Sequence, residues 1–414
     1  MRVWYLTGYE RVNVGFGARA GRIPPECRVY ADGVMGTTRL LAAAAALAAL
    51  GAAALTGCGG AAPPAVISVD AGACGGEWHL AGPGWHTFEL RNTNDVGGEV
   101  DLVNPATGGI YAEISSFGPG TSASMSLDVG SGTYAFRCLF QDADPLTGPV
   151  VTVPGHADGA PAILPVTYND LIPPAKAYQG YVEAGLRALA RQVAALDGDV
   201  RRGDLAAARR DWLTAHLTYQ TLGAAYGTFG KLDDEIDGRA DALGVDNPEW
   251  TGFYRLEYGL WHGQSARELA PVAAALRTDV GSLLAGWPSQ EIPLADIGLR
   301  AHEILENALE YQLTGHDDYG SGSTLATVLA NITGTRELLA VLRPLLLPRY
   351  PALPSVYGWL NRLQALLEKQ RRPNGSWVPV SALAPAAREQ IDAACGQAVE
   401  ELAPIASITE PRNT

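Results

Sequence analysis

Positive charge is scarce in this sequence: 30 Lys and Arg stand against 44 Asp and Glu in 414 residues, a net charge of −14. A phosphate backbone would be repelled by that field, so nucleic acid is excluded as a partner, whereas cation capture is favoured. Long apolar runs are also scarce. One lies near the N-terminus and the sequence shows no second, so membrane contact is expected at that end alone. Catalytic signatures are missing: there is no HExxH motif, and no serine or cysteine stands in a recognisable nucleophile setting. What is present is 47% hydrophobic and 18% charged, the composition of a globular chain.

The single apolar run carries an address. From Met35 the chain has a positive residue at Arg39, then an Ala- and Leu-rich stretch to Leu55, then Thr56-Gly57-Cys58. A charged start, a short apolar core and small residues before a cleavage point describe a secretory signal. A cysteine directly after the small residues resembles the bacterial lipobox, in which the thiol is acylated. Cys58 is therefore the expected lipidation site, holding the protein at the outer face of a bacterial membrane. A signal normally begins a chain, so translation is expected to start at Met35, with residues 1–34, Cys27 among them, set aside as an artefact. The signal is 35–57 and the lipidated tether 58–64; about 355 residues remain, enough for two domains.

Two periodicities divide those residues. Over 65–153 short apolar runs (Val66–Val69, Thr87–Leu90, Glu99–Val103, Met125–Leu127, Thr133–Phe136, Val150–Val153) are split by Gly, Pro and Asn, which predicts an antiparallel β-sandwich or barrel. Residues 154–174 hold five prolines and are expected to be a linker. Over 175–410 apolar residues recur at steps of three and four, beginning with Val182, Leu186, Leu189 and Val193. Helices are expected near 249–262, 265–286, 293–313, 323–343, 355–371 and 382–403, in an all-α bundle.

The order of signal, lipobox, β-domain, proline-rich stretch and helical domain resembles the EfeO-type iron-uptake lipoproteins, in their actinobacterial form. Thr133–Phe140 is similar to the last-strand region of their cupredoxin-like domain. Leu232–Arg239 and Phe253–Trp261 are similar to core segments of their imelysin-like domain, and His302–Asn307 to a later helix. The resemblance implies a cupredoxin-like sandwich followed by an imelysin-like bundle. It also implies that the protein captures iron, as Fe²⁺ or Fe³⁺, for a membrane permease beside a haem-peroxidase-like partner, with copper or zinc as alternative cargo. Such proteins are also labelled peptidases, which no motif here supports.

The resemblance places Cys74, Glu99, Glu113 and Cys138 in the β-domain's metal-site region. Thiolates suit soft ions and carboxylates hard ones, so a mixed site would take copper or iron. No His or Met follows Cys138 closely, which is unlike a blue-copper loop. Export equally permits a Cys74–Cys138 disulfide. In the helical domain the family motif is GxHxxE, whose His and Glu share one helix face. Here Tyr254 replaces the histidine and Glu257 remains, Gln220 and Gly223 stand where glutamates are usual, and Asp237 matches a carboxylate. A phenol substitutes for imidazole well only toward Fe³⁺. The thinned set leaves open a decayed paralogue acting as a scaffold. His216, one turn before Gln220, is either a compensating ligand or, the expected reading, a histidine on the bundle surface. His302, Glu303 and Glu306, at spacings of three and four, are either a further ligand row or a surface row paired with arginines.

Overall fold

The computed structural model describes residues 66–76, 78–240 and 244–412; the expected lipidation site Cys58 lies outside them, with the whole signal region. The described chain divides at Ala162/Ile163 into a sheet unit and a helical unit.

The sheet unit contains two sheets. One has the order β1–β2–β5, formed by Val66–Val69, Gly84–Asn92 and Ser122–Val129, with β1 parallel to β2. The other has the order β4–β3–β6–β7, formed by Ile110–Phe117, Gly98–Val103, Gly132–Phe140 and Leu146–Thr147, with β8 (Val151–Val153) also pairing β6. Alternation explains the core. Phe88 and Leu90 of β2, Met125 and Leu127 of β5, Val100 and Leu102 of β3 and Phe136 and Cys138 of β6 are all buried in one cluster. Trp78 packs between Phe88 and Phe136, with ring centroids 5.8 and 4.8 Å away.

Cys74 and Cys138 are joined as a disulfide. The alternative of two metal-binding thiolates is thereby corrected: neither sulfur retains a free thiolate, and Cys138 points into the apolar core beside Phe136. The bridge closes a separation of 64 residues, so replacing both Cys74→Ser and Cys138→Ser is expected to cost about 2–5 kcal/mol of sheet-unit stability. Denaturant unfolding followed by Trp78 fluorescence measures it; an unchanged midpoint contradicts it.

The helical unit begins earlier than the prolines suggest. A capping box of Thr167 and Asp170 starts α1, Tyr168–Arg202, and carries the helix through Pro173 and Pro174. Interior proline normally breaks a helix, but Leu171, Pro174 and Ala175 are buried here and packing overrides the local preference. The expected linker span, 154–174, therefore overlaps both units: Ala160 N–H donates to Asp128 O in the sheet unit at 2.7 Å, Val166 bridges to Pro411 in the helical unit, and α1 starts at Tyr168.

Beyond α1 come α2 (Leu205–Gln220), the short α3 (Tyr226–Phe229), α4 (Lys231–Asp237), α5 (Gly252–Trp261), α6 (Ala266–Gly286) and α7 (Asp296–Asn307). Then follow α8 (Thr324–Leu346), α9 (Leu353–Glu368), α10 (Pro385–Leu402) and α11 (Pro404–Thr409). Helices α2, α6 and α8 pack on α1. Contrary to the expectation of a single apolar run, α8 is long and apolar enough to cross a membrane, with a window hydropathy of 1.3; that window is 67% buried inside the unit, as in a core helix. Helix α7 continues into a π-helical turn, Ala308–Gln312, a local widening that is common beside functional sites.

Candidate metal site in the helical unit

Three residues on one stripe of α2 begin the site. Trp212, His216 and Gln220 recur every four residues and are all buried. The Trp212 indole N–H donates to Phe253 O at 2.8 Å, locking α2 to α5. His216 stacks on Trp212 at 4.9 Å and packs against the rings of Phe253 and Tyr254, both at 5.3 Å. The expectation of a surface histidine is overturned: His216 is 1% exposed. Aromatic neighbours from α5, distant in sequence, cover it.

Helix α4 supplies acids. Asp233 and Asp237 stand one turn apart; the Tyr219 hydroxyl donates to Asp233, and Gln220 Nε2 donates to Asp237 Oδ2 at 2.7 Å. Asp237 Oδ1 lies 3.2 Å from His216 Nε2. Burial pushes the Asp233 carboxyl up to about 7. Gly252 then lets α5 start hard against α4. Its φ is +86°, and a Cβ there would meet the Ile236 carbonyl oxygen at 2.4 Å, so glycine is required.

Helix α5 carries Tyr254 and Glu257 on one buried face, at 2% and 1% exposure. Glu257 Oε1 accepts the Ser321 N–H at 2.9 Å, while its Oε2 has no hydrogen-bond partner. Burial pushes the Glu257 carboxyl up to about 7, with the Ser321 contacts and His216 acting in the opposite direction. The loop after the π-turn adds Asp317, whose Oδ2 accepts from Tyr254 Oη at 3.2 Å and from Gln312 Nε2 at 2.8 Å. Asp317 Oδ1 makes no hydrogen bond; the nearest charge is Arg239 Nε, 3.8 Å away. Burial raises the Asp317 carboxyl, and Arg239 opposes that. The Arg239 guanidinium lies 3.7 Å from the centre of the Tyr311 ring.

A partly open cavity of about 10 Å³ lies among these groups, lined by Trp212, His216, Tyr254, Glu257, Gln312 and Asp317 together with Ser321, Ser323, Thr324 and Thr327. That is space for one water or one bare ion. Buried carboxylate oxygens left without partners are costly unless a cation or proton answers them. Of the residues the sequence pointed to, Tyr254 and Glu257 line this cavity, while Gln220 and Asp237 contact His216 and do not line it; Asp317 and Gln312 come from a loop and a π-turn, which periodicity does not place.

The other candidates separate. His302, Glu303 and Glu306 do not line this cavity. Helix α7 buries Ile297, Ala301, Ile304 and Leu305, which leaves the acids outward. Glu303 pairs with Arg300 at 2.5 Å, and Glu306, 4.0 Å from His302, is 59% exposed. Glu303 and Glu306 thus fit the surface-row alternative, Glu303 with an arginine partner, whereas His302 is 19% exposed and its Nδ1 is buried without a hydrogen-bond partner. Gly223 faces Ile304 and has no side chain to offer.

In the sheet unit, Glu99, Asp101 and Glu113 bring their oxygens within 4.8 Å of one another, the one such group among the described residues. Asp101 lies opposite Glu113 on β4 and Arg137 on β6. Arg137 donates two hydrogen bonds to Asp101 Oδ2, at 2.8 and 3.2 Å, and offsets part of the acidity. The two cysteines face away, because Cys138 alternates with Arg137 along β6 and lies in the core with Val100. With the cysteines turned away, the expected mixed cysteine–glutamate site is reduced to an all-oxygen candidate. By contrast, no three ligand-bearing residues around the helical cavity bring an atom each within 4.8 Å of one another, so an ion drawing on three of them requires side chains to close in.

Comparison with known proteins places these elements. A family model described as imelysin matches residues 174–405, more than half of the chain and all of the helical-cavity residues. The iron uptake system component EfeM of Pseudomonas syringae pv. syringae (strain B728a) is 28% identical over 177 residues, covering 42% of this chain and 62% of that protein. The iron uptake system component EfeO of Escherichia coli (strain K12) is 25% identical over 273 residues, 64% of this chain and 71% of that protein; its Shigella flexneri counterpart matches equally. The match thus spans slightly less than two thirds of the Pseudomonas protein's length.

Proposed function

This chain belongs to the imelysin family, and from that premise we propose that it captures iron outside the cytoplasm and hands it to a membrane permease, as a component of an EfeO-type uptake system. The observation that carries the reading is the acid-lined helical cavity. It has room for one ion and is lined by Glu257 and Asp317, each with a buried carboxylate oxygen that no protein donor satisfies. Oxygen donors of this kind suit hard cations. The relatives' names, iron uptake components, agree.

The remaining parts of the proposal concern setting. Acylation at Cys58 would keep the protein beside its permease and a haem-peroxidase-like partner, and the Cys74–Cys138 disulfide suits an oxidising compartment. The two-sheet unit is proposed to be cupredoxin-like in fold, but with its cysteines spent on the disulfide and without a thiolate for copper. Zinc and copper are the competing cargoes. Isothermal titration of the chain from Cys58 onward with Fe³⁺, Fe²⁺, Zn²⁺ and Cu²⁺ tests the reading: iron binding at micromolar or tighter supports it, and nothing tighter than millimolar rejects it.

Arg239 provides a second check. Its guanidinium is the cation nearest Asp317 Oδ1 and competes with an incoming ion for that oxygen. Arg239→Gln is expected to tighten iron binding roughly tenfold, a modest gain because the arginine is part-exposed and screened. Weaker binding in the same titration would show that Arg239 helps to build the site.

A further inference from the structure

We propose that the outer face of the β1–β2–β5 sheet binds a neutral, linear glycan, with Trp85 as the platform on which a sugar ring stacks. The proposal concerns the sheet unit alone and is independent of any metal cargo.

Alternation along two strands builds the face. Phe88 and Leu90 of β2 and Met125 and Leu127 of β5 turn into the core. Trp85, Thr87 and Glu89 therefore turn outward, opposite Asp128, Ser126 and Ser124, their register partners on β5. Trp85 is 65% exposed, the most exposed large hydrophobic residue and the one exposed tryptophan among the described residues. An indole is ordinarily kept largely from water. Its neighbours on the face are short and polar, so the ring stands clear. Thr87 Oγ1 and Ser126 Oγ share a hydrogen bond of 2.8 Å, and Ser124 Oγ donates to Glu89 Oε1 at 2.5 Å. These contacts fix the oxygens in place and leave each with capacity for a further hydrogen bond. Beside the ring, Asp128 presents an exposed carboxylate. Its backbone is held by Ala160, whose N–H donates to the Asp128 carbonyl at 2.7 Å.

The chemistry of the face selects the ligand. A sugar ring has an apolar C–H face and a rim of hydroxyls. The first matches the flat indole, and the second matches carboxylates and hydroxyls that accept and donate hydrogen bonds. A protein partner is bound through several apolar anchors from which water is excluded, whereas here a single ring stands among polar groups. A polyanion is disfavoured by Glu89 and Asp128, since Arg91 is the only lysine or arginine in the three strands. Residues on one face of a strand repeat about every 7 Å, so Trp85 to Glu89 spans about 14 Å. That is the length of a short run of linked sugar rings.

The test is titration of the full chain with cellotetraose and with chitotetraose, followed by calorimetry and by tryptophan fluorescence. The expected result is saturable binding of at least one of them with a Kd of about 0.1–1 mM, and a blue shift in emission as Trp85 leaves water. Trp85→Ala should remove the blue shift and weaken binding about tenfold or more, and Asp128→Asn should weaken it about threefold. Both side chains are exposed, so neither variant should move the thermal midpoint. No saturable binding of either tetrasaccharide at tens of millimolar, or binding that survives Trp85→Ala, overturns the proposal. So does a dimer in sedimentation that Trp85→Ala dissolves, because a second copy of the chain would then cover the face.

Discussion

Replacing Glu257 with glutamine is expected to weaken iron binding by about 100-fold or more, a loss of roughly 2.7 kcal/mol, and at the same time to stabilise the ion-free protein at neutral pH. The two effects have opposite signs because the same oxygen causes both. Glu257 is 1% exposed and its Oε2 has no partner, so its negative charge is a burden until a cation arrives. Glutamine keeps an oxygen to accept the Ser321 N–H and removes the charge. If Glu257 were merely structural, the substitution would lower stability and leave binding alone. Calorimetric titration with iron together with urea unfolding of the ion-free protein separates the cases. Unchanged iron affinity would remove Glu257 from the site.

Raising pH from about 5 to about 8 is expected to destabilise the ion-free helical unit and to strengthen its grip on iron. Burial raises Glu257 and Asp233 each to about 7, from ordinary values of 4.5 and 3.8. In that window the folded state holds protons that the unfolded chain has released, so stability falls as pH rises. The contribution is fully present below the unfolded values and lost as pH climbs through about 7. Each group accounts for roughly 3 kcal/mol. Burial raises Asp317 too, with the same sign. Iron requires the deprotonated carboxylates, so its affinity climbs over the same range. Urea midpoints at pH 5 and pH 8 in the presence of a chelator measure the first effect, and Glu257→Gln should remove about half of it. A midpoint that stays level or rises with pH would contradict the burial of these acids.

Regular elements were legible where local pattern and packing agree. The helices expected near 265–286 and 355–371 appear as α6, Ala266–Gly286, and α9, Leu353–Glu368. The acidic α4 was not visible, because Ile236 is its single buried residue and so short a helix has no apolar stripe to read. β4 escaped notice because its burial does not alternate: Ala112 and the charged Glu113 are buried in succession. The candidate site divides in the same way. Tyr254 and Glu257 lie three apart on one helix, so their shared face follows from spacing. His216 is buried by Trp212 and Phe253, and Phe253 reaches it only through tertiary packing. Asp317 arrives from a glycine-rich loop whose path depends on the π-turn before it. The cysteines allowed two chemistries, and the alternation along β6 decides between them by turning Cys138 inward and Arg137 outward.

The central claim is that one iron ion sits inside the helical unit between α5 and the Asp317 loop. Diffraction from iron-loaded crystals at the iron absorption edge tests it most directly. The account predicts one strong anomalous peak within bonding distance of Glu257 and Asp317, with Tyr254 Oη turned toward it. An empty helical cavity, with iron on Glu99, Asp101 and Glu113 instead, would contradict it.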